Sequence, residues 1–203
     1  MKILLFAFAA CLSVTAAVSA ASAQDATGFR ADLLGQLEYV QKQVIDLENA
    51  IPDEKMTWRP NKDVRSISEV FSHIAFSNYL IFKFAGVALP EGITINSPED
   101  EMKAEKASTD KKVIHEQLVK SFEFVKSSIR GMSDASMENR IDFFGEKMSM
   151  RAILMIVQSH IHEHFGQSIA YARMVDVVPP WTAERQAAEK KAAEKQGAEK
   201  LKN

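Results

Sequence analysis

Residues 70–86, VFSHIAFSNYLIFKFAG, constrain the fold more than any other stretch. Wound as a helix they are apolar on most sides, and such a helix is stable only when neighbours enclose it. Its start is marked by Ser66-Ile67-Ser68-Glu69, a capping-box pattern in which the serine oxygen takes a first-turn amide and the glutamate reaches back to the cap amide. Its end is expected near Gly86.

Three further stripes can supply the neighbours. Phe29, Leu33, Leu37, Val40, Val44, Leu47 and Ile51 recur every three or four positions, the mark of an amphipathic helix. Pro52 and Pro60 then break the period and leave a loop. LPEGITINSPED reads as a long connection, after which Thr109 is the expected cap of a third helix with Ile114, Leu118, Phe122, Val125 and Ile129 on one face. A polar stretch reaches Lys147, and a fourth helix is expected from about Ser149 to Asp176, stopped by Val178-Pro179-Pro180. RIDFFGEKMSM is also compatible with a short hairpin, a reading set behind that of a plain connection. The expected class is all-α: a four-helix bundle with long loop connections.

The chain opens with Lys2, an uncharged apolar run, and Ala21-Ser22-Ala23. This is the plan of a cleaved signal peptide over residues 1–23, and the apolar run is short for a membrane span. Export to the periplasm follows as an expectation, with no integral membrane segment in the mature chain. Cys11 is the only cysteine and would leave with the leader, so thiol chemistry and disulfides are excluded from the mature protein. The formal charge of −2 becomes −3 without Lys2, and no dense basic patch interrupts the body of the chain, which argues against nucleic acid as a partner. Residues 24–180 make one domain of ordinary core size. Residues 181–203 contain QAAEK, KAAEK and QGAEK in succession, and a five-residue step around a helix offers no fixed apolar face. They read as a solvated, charged tail.

Three of the five histidines fall in SHIHEHFGQ. At about 100° per residue, His160 and His164 share a side of the helix and His162 points away. Ile153, Val157, His160, His164, Gln167 and Tyr171 form one seam, expected to face inward, and Val70, His73, Ser77, Leu80 and Phe84 form the matching seam of the second helix. Three inward imidazoles without partners would cost roughly 1–3 kcal/mol each. A divalent ion held by His73, His160 and His164 removes that cost and leaves an open position. His115 and His162 are expected to point outward or to play supporting roles. HEHFG lacks the spacing of H-E-x-x-H, and no Glu-x-x-His pair suits a di-iron bundle, so a mononuclear site is the pattern that remains. Histidine and carboxylate donors suit zinc or nickel, with iron and manganese also compatible.

These residues resemble the DinB-like superfamily, the DinB/YfiT-type four-helix bundles with a histidine on helix two and H-x-x-x-H-x-G-Q on helix four. Here the second element reads His160 to Gln167, and the likeness runs from Phe29 to Trp181. Phe165 stands where many relatives have a basic residue. The resemblance implies the same bundle, a metal triad of His73, His160 and His164, and either a metal-dependent hydrolase or a transferase acting on a small-molecule substrate. A metal-binding envelope protein without turnover is the alternative, and homodimer formation is compatible with either. The two seams carry no carboxylate, so activation of water falls to the ion or to Glu163 at the edge of the histidine face, with Gln167 orienting a ligand or a water.

Overall fold

The computed structural model describes residues 27–200. The expected leader, residues 1–23, lies outside them. Six α-helices are present among the described residues: α1 (Gly28–Ala50), α2 (Ile67–Phe84), α3 (Pro98–Glu105), α4 (Lys111–Gly131), α5 (Met150–Met174) and α6 (Pro180–Lys200). The four expected helices are α1, α2, α4 and α5.

Helix α1 buries Leu33, Leu37, Val40, Val44 and Leu47, the stripe its spacing predicts. Helix α2 packs on α3, α4 and α5 together, and this is why it is apolar on most sides. Both halves of its capping box are made: Ser66 Oγ accepts from the Glu69 amide at 3.3 Å and the Ser66 amide donates to Glu69 Oε2 at 2.9 Å. Helix α4 presents Ile114, Leu118, Phe122, Val125 and Ile129 to the core. Its cap is Asp110 rather than Thr109; the carboxylate accepts from the amides of Lys112 and Val113, and an ionised acceptor there also opposes the helix dipole. Ser149 caps α5 by accepting from Ala152 at 3.2 Å. No helix among the described residues is long and apolar enough to cross a membrane.

Two elements depart from the expectation of plain connections. Helix α3 starts at Ser97, whose hydroxyl caps the Asp100 amide, with Pro98 in the first helical turn and Glu99, Asp100 and Glu101 beside the positive end of the dipole. The stretch RIDFFGEKMSM does form a hairpin, β1 (Arg140–Phe143) against β2 (Glu146–Ser149), in antiparallel register with Phe143 opposite Glu146. Its two-residue turn, Phe144-Gly145, has positive φ at both positions, the geometry that matches strand twist in a tight hairpin. Phenylalanine is an unusual residue there, which hides the turn from a sequence reading. Its ring lies against Phe84, tilted, with centroids 4.4 Å apart.

The repeat stretch is helical in α6, and Glu184 to Gly197 are exposed throughout. Trp181, at the head of that helix, instead meets Phe165 edge-on at 5.6 Å and ties it to α5.

Candidate metal centre

Helix α2 carries His73 and α5 carries His160 and His164, and packing of the two helices brings the three rings together. Ring centroids lie 4.9 Å apart for His73 and His160, 4.3 Å for His73 and His164, and 4.5 Å for His160 and His164. The face of α5 that fills the core is Ile153, Leu154, Val157, Ile161 and Phe165, so the histidine seam lies at the flank of that face and not at its centre. His73 is buried, whereas His160, His164 and Gln167 are half-buried. A flank position leaves the cluster reachable from outside.

Hydrogen bonds fix the tautomers. His73 Nδ1 donates to Glu105 Oε1 at 2.6 Å, and His164 Nδ1 donates to Gln167 Oε1 at 3.0 Å. Each ring therefore turns Nε2 inward, and these two nitrogens face one another at 3.1 Å. His160 Nε2 is 3.2 Å from His73 Nε2, while His160 Nδ1 is buried with no partner. Facing lone pairs require a positive charge between them, either a proton on His73 or a metal ion.

The separations suit a metal. A tetrahedral shell with each nitrogen ~2.0–2.1 Å from the ion has edges of about 3.3 Å. Three neutral imidazoles converging through Nε2, two of them held by acceptors at Nδ1, are the donor set such an ion takes. The residues present fit a divalent cation.

Charge favours the neutral forms on α5. Burial, together with His164 and His73 close by, pushes His160 down to about 3. Burial likewise lowers His164, against the hydrogen bond to Gln167. At His73, burial acts downward but is outweighed by hydrogen bonds to Glu101 and Glu105, which hold the ring above its ordinary value.

The two seams carry no carboxylate, as expected, and these two acids reach the site from elsewhere. They come from α3, within a stretch whose sequence reads as a connection. Glu101 and Glu105 are one helical turn apart and both are buried. Glu101 Oε1 lies 3.2 Å from His73 Nδ1 and accepts from Ser77 Oγ. Glu105 also accepts from Arg65 Nε at 2.7 Å and Nη2 at 3.1 Å; burial raises this carboxyl, but the bonds from His73 and Arg65 prevail and hold it below the usual range. Glu163, the acid expected at the histidine face, is exposed. The recoverable signal was Ser97-Pro98 followed by acidic residues, a helix start with Glu101 and Glu105 on one face.

The remaining sequence candidates are placed apart. His162 Nδ1 donates to the Gln158 carbonyl of its own helix and faces solvent. His115, on α4, pairs with Glu48 of α1 at 2.8 Å. Gln167 does orient the His164 ring, and its amide donates onward to Tyr171 Oη at 3.0 Å, beside Trp58.

Residues 36–168 match the family model of the DinB superfamily, well over half of the chain. Comparison with curated proteins gives no match. Among solved structures, a DinB-like protein from Bacillus cereus is similar at a TM-score of 0.62 and 21% identity, over 73% of this chain and 93% of the other. YfiT from Bacillus subtilis, described as "a probable metal-dependent hydrolase with an unusual four-helix bundle topology", aligns at 0.60 and 13% over 76% and 93%. A conserved protein from Enterococcus faecalis gives 0.53 and 15% over 74% and 98%. At these identities the structures speak for the fold alone, whereas the family model matches the sequence itself across the segment carrying all three clustered histidines. The chain belongs to the DinB superfamily.

Proposed function

We propose that the mature protein is an exported, metal-dependent hydrolase that holds one divalent ion on His73, His160 and His164. The observation that carries this reading is the approach of His160 Nε2 and His164 Nε2 to His73 Nε2, at 3.2 and 3.1 Å, with Nδ1 of His73 and His164 already committed to Glu105 and Gln167. The description of YfiT as a probable metal-dependent hydrolase points the same way. Export rests on the sequence of residues 1–23.

When bound, a divalent ion there supplies a Lewis acid that polarises a substrate oxygen and lowers the pKa of water. The chain's own residues do the rest. Glu105, held by Arg65, keeps the proton of His73 on Nδ1, so that the other nitrogen is free to ligate. Gln167 does the same for His164, and its link to Tyr171 fixes the amide's orientation. Zinc and nickel suit this donor set, with iron and manganese compatible.

The test is elemental analysis of untagged mature protein, followed by assays of ester, amide and phosphoester hydrolysis before and after chelation. Under this reading the chelated protein stays folded and loses turnover, and the added ion restores it. A large fall in Tm on chelation, with no turnover in the loaded protein, would assign the ion to holding α2 against α5 instead.

A further inference from the structure

We propose that α3 is a latch, and that its docking is coupled to the cation at the histidine cluster through the two nitrogens of His73. Helix α3 has little else to hold it. An eight-residue helix is marginal in water by itself, and α3 gives no side chain to the apolar core: Met102 is exposed, and the residues it buries are Glu101 and Glu105. It packs on α2, where both acids meet one ring, Glu105 Oε1 at 2.6 Å and Glu101 Oε1 at 3.2 Å from His73 Nδ1. Ser77 Oγ also donates to Glu101, and Arg65, from the loop before α2, holds both oxygens of Glu105.

His73 is therefore pulled from both sides. A neutral ring has a single N–H. Placed on Nδ1, its proton serves the acids of α3 and leaves Nε2 facing that of His164 at 3.1 Å, itself an acceptor because Gln167 takes the proton at the other nitrogen. Placed on Nε2, it serves His164 and leaves two buried carboxylates against a bare nitrogen. A cation between the rings ends this conflict: the proton stays on Nδ1, and the N–H becomes part of a positively charged group, whose bonds to carboxylates are roughly twice as strong as those of a neutral donor. The coupling presupposes the ion of the proposed function and goes beyond it, since loaded and empty protein then differ at a surface helix as well as at the histidines. Arg65 and Ser77 act in both forms, so the ion tightens the latch and does not create it. Coupling is reciprocal, and the contacts that tighten α3 on loading also tighten the ion.

Hydrogen exchange of the full-length mature protein, metal-free and reconstituted with zinc, tests the latch at about pH 8.5, where a second proton on His73 does not stand in for the ion. The amides of residues 101–107 are expected to exchange about fivefold slower or more in the loaded protein, while the hairpin of β1 and β2 keeps its rate. In the double substitution Glu101→Gln with Glu105→Gln, most of that difference should vanish, because neutral acceptors gain far less from a charged donor. Metal content is read on the same samples. Zinc bound at full stoichiometry with α3 exchange unchanged would overturn the latch and leave the metal centre intact, whereas no bound zinc would overturn both. Zinc-dependent protection that persisted undiminished in the double variant would also overturn it, since the coupling would then bypass the acids that His73 holds.

Discussion

Two histidine neighbourhoods in this protein differ in a way that separates structure from chemistry. On α4, His115 has one carboxylate, Glu48, which is fully buried, and the pair closes a contact between α1 and α4. On α2 and α5, three imidazoles face one another and the carboxylates stand behind, on the far side of His73. The His115 ring has an acid for a partner, although Glu48 Oε1 stays buried without one of its own. Rings that point their acceptor nitrogens at each other have none, and the missing partner has to be a cation. Burial of a histidine is thus no sign of a site; the direction of its second nitrogen is.

The strongest way to break this contrast is by substitution of the rings. Replacing His73, His160 or His164 with alanine should reduce bound metal from about one equivalent to a small fraction, because two imidazoles cannot complete the site. His115→Ala and His162→Ala should keep it. Metal content of untagged, reconstituted protein is the measurement, and equal loss in His115→Ala would erase the distinction between the two neighbourhoods.

A smaller effect is expected at the residues that orient the rings. Glu105→Ala and Gln167→Ala should weaken the metal by roughly 10–100-fold without abolishing it, since each removes an acceptor from Nδ1 and lets the ring turn or change tautomer. Competition with a chromogenic chelator reads this directly. Unchanged affinity in both variants would mean that convergence alone, without fixed tautomers, makes the site.

How far the sequence revealed all this depends on the length scale of the signal. The helices α1, α2, α4 and α5 were legible because each repeats its apolar face over several turns, and the histidine triad because its members sit in those same repeats. The DinB-like motif His160 to Gln167 fixed the family from the residues alone, in agreement with the family match. Helix α3 was missed because eight residues give barely two turns and its buried residues are Glu101 and Glu105, acids that a hydrophobic pattern cannot register. Only the histidine they meet across the α2–α3 contact explains why they are buried. The flank position of His160 and His164 was hidden too. A seam read on one helix does not say that Ile161 and Phe165, one residue further round, take the centre of the core.

The His115 neighbourhood makes its own prediction, in stability. Glu48→Ala removes a buried acceptor from a half-exposed histidine that water can then reach, and the cost is expected at about 0.5–1.5 kcal/mol. In a domain of this size that is a Tm lower by roughly 2–4 °C per kcal/mol. Metal stoichiometry should be untouched, the reverse of the pattern at His160. A Glu48→Ala protein that was equally stable but failed to load metal would show that the two regions are one coupled system.

The finest discrimination comes from pH in the metal-free protein. The unfolded chain takes up protons on His160 and His164 as pH falls below their ordinary value near 6.5, whereas the folded protein resists, with His160 pushed down to about 3 and His164 also lowered. The unfolded state then binds more protons, so stability falls with acid below about pH 6.5, by on the order of 1 kcal/mol per pH unit per resisting ring. His73 has the opposite sign: its raised value gives stability that is complete below 6.5 and is lost as pH rises through the folded value, so it adds no slope on the acid side. Glu105, held below the usual carboxylate range, acts only beneath about pH 4.5 and stays out of a window from 5 to 6.5. Urea unfolding across that window should therefore give a slope that flattens in His160→Ala and persists in His115→Ala. If His160→Ala kept the full slope, the α5 rings would not be the groups that refuse protons, and the facing-nitrogen geometry would lose its electrostatic support.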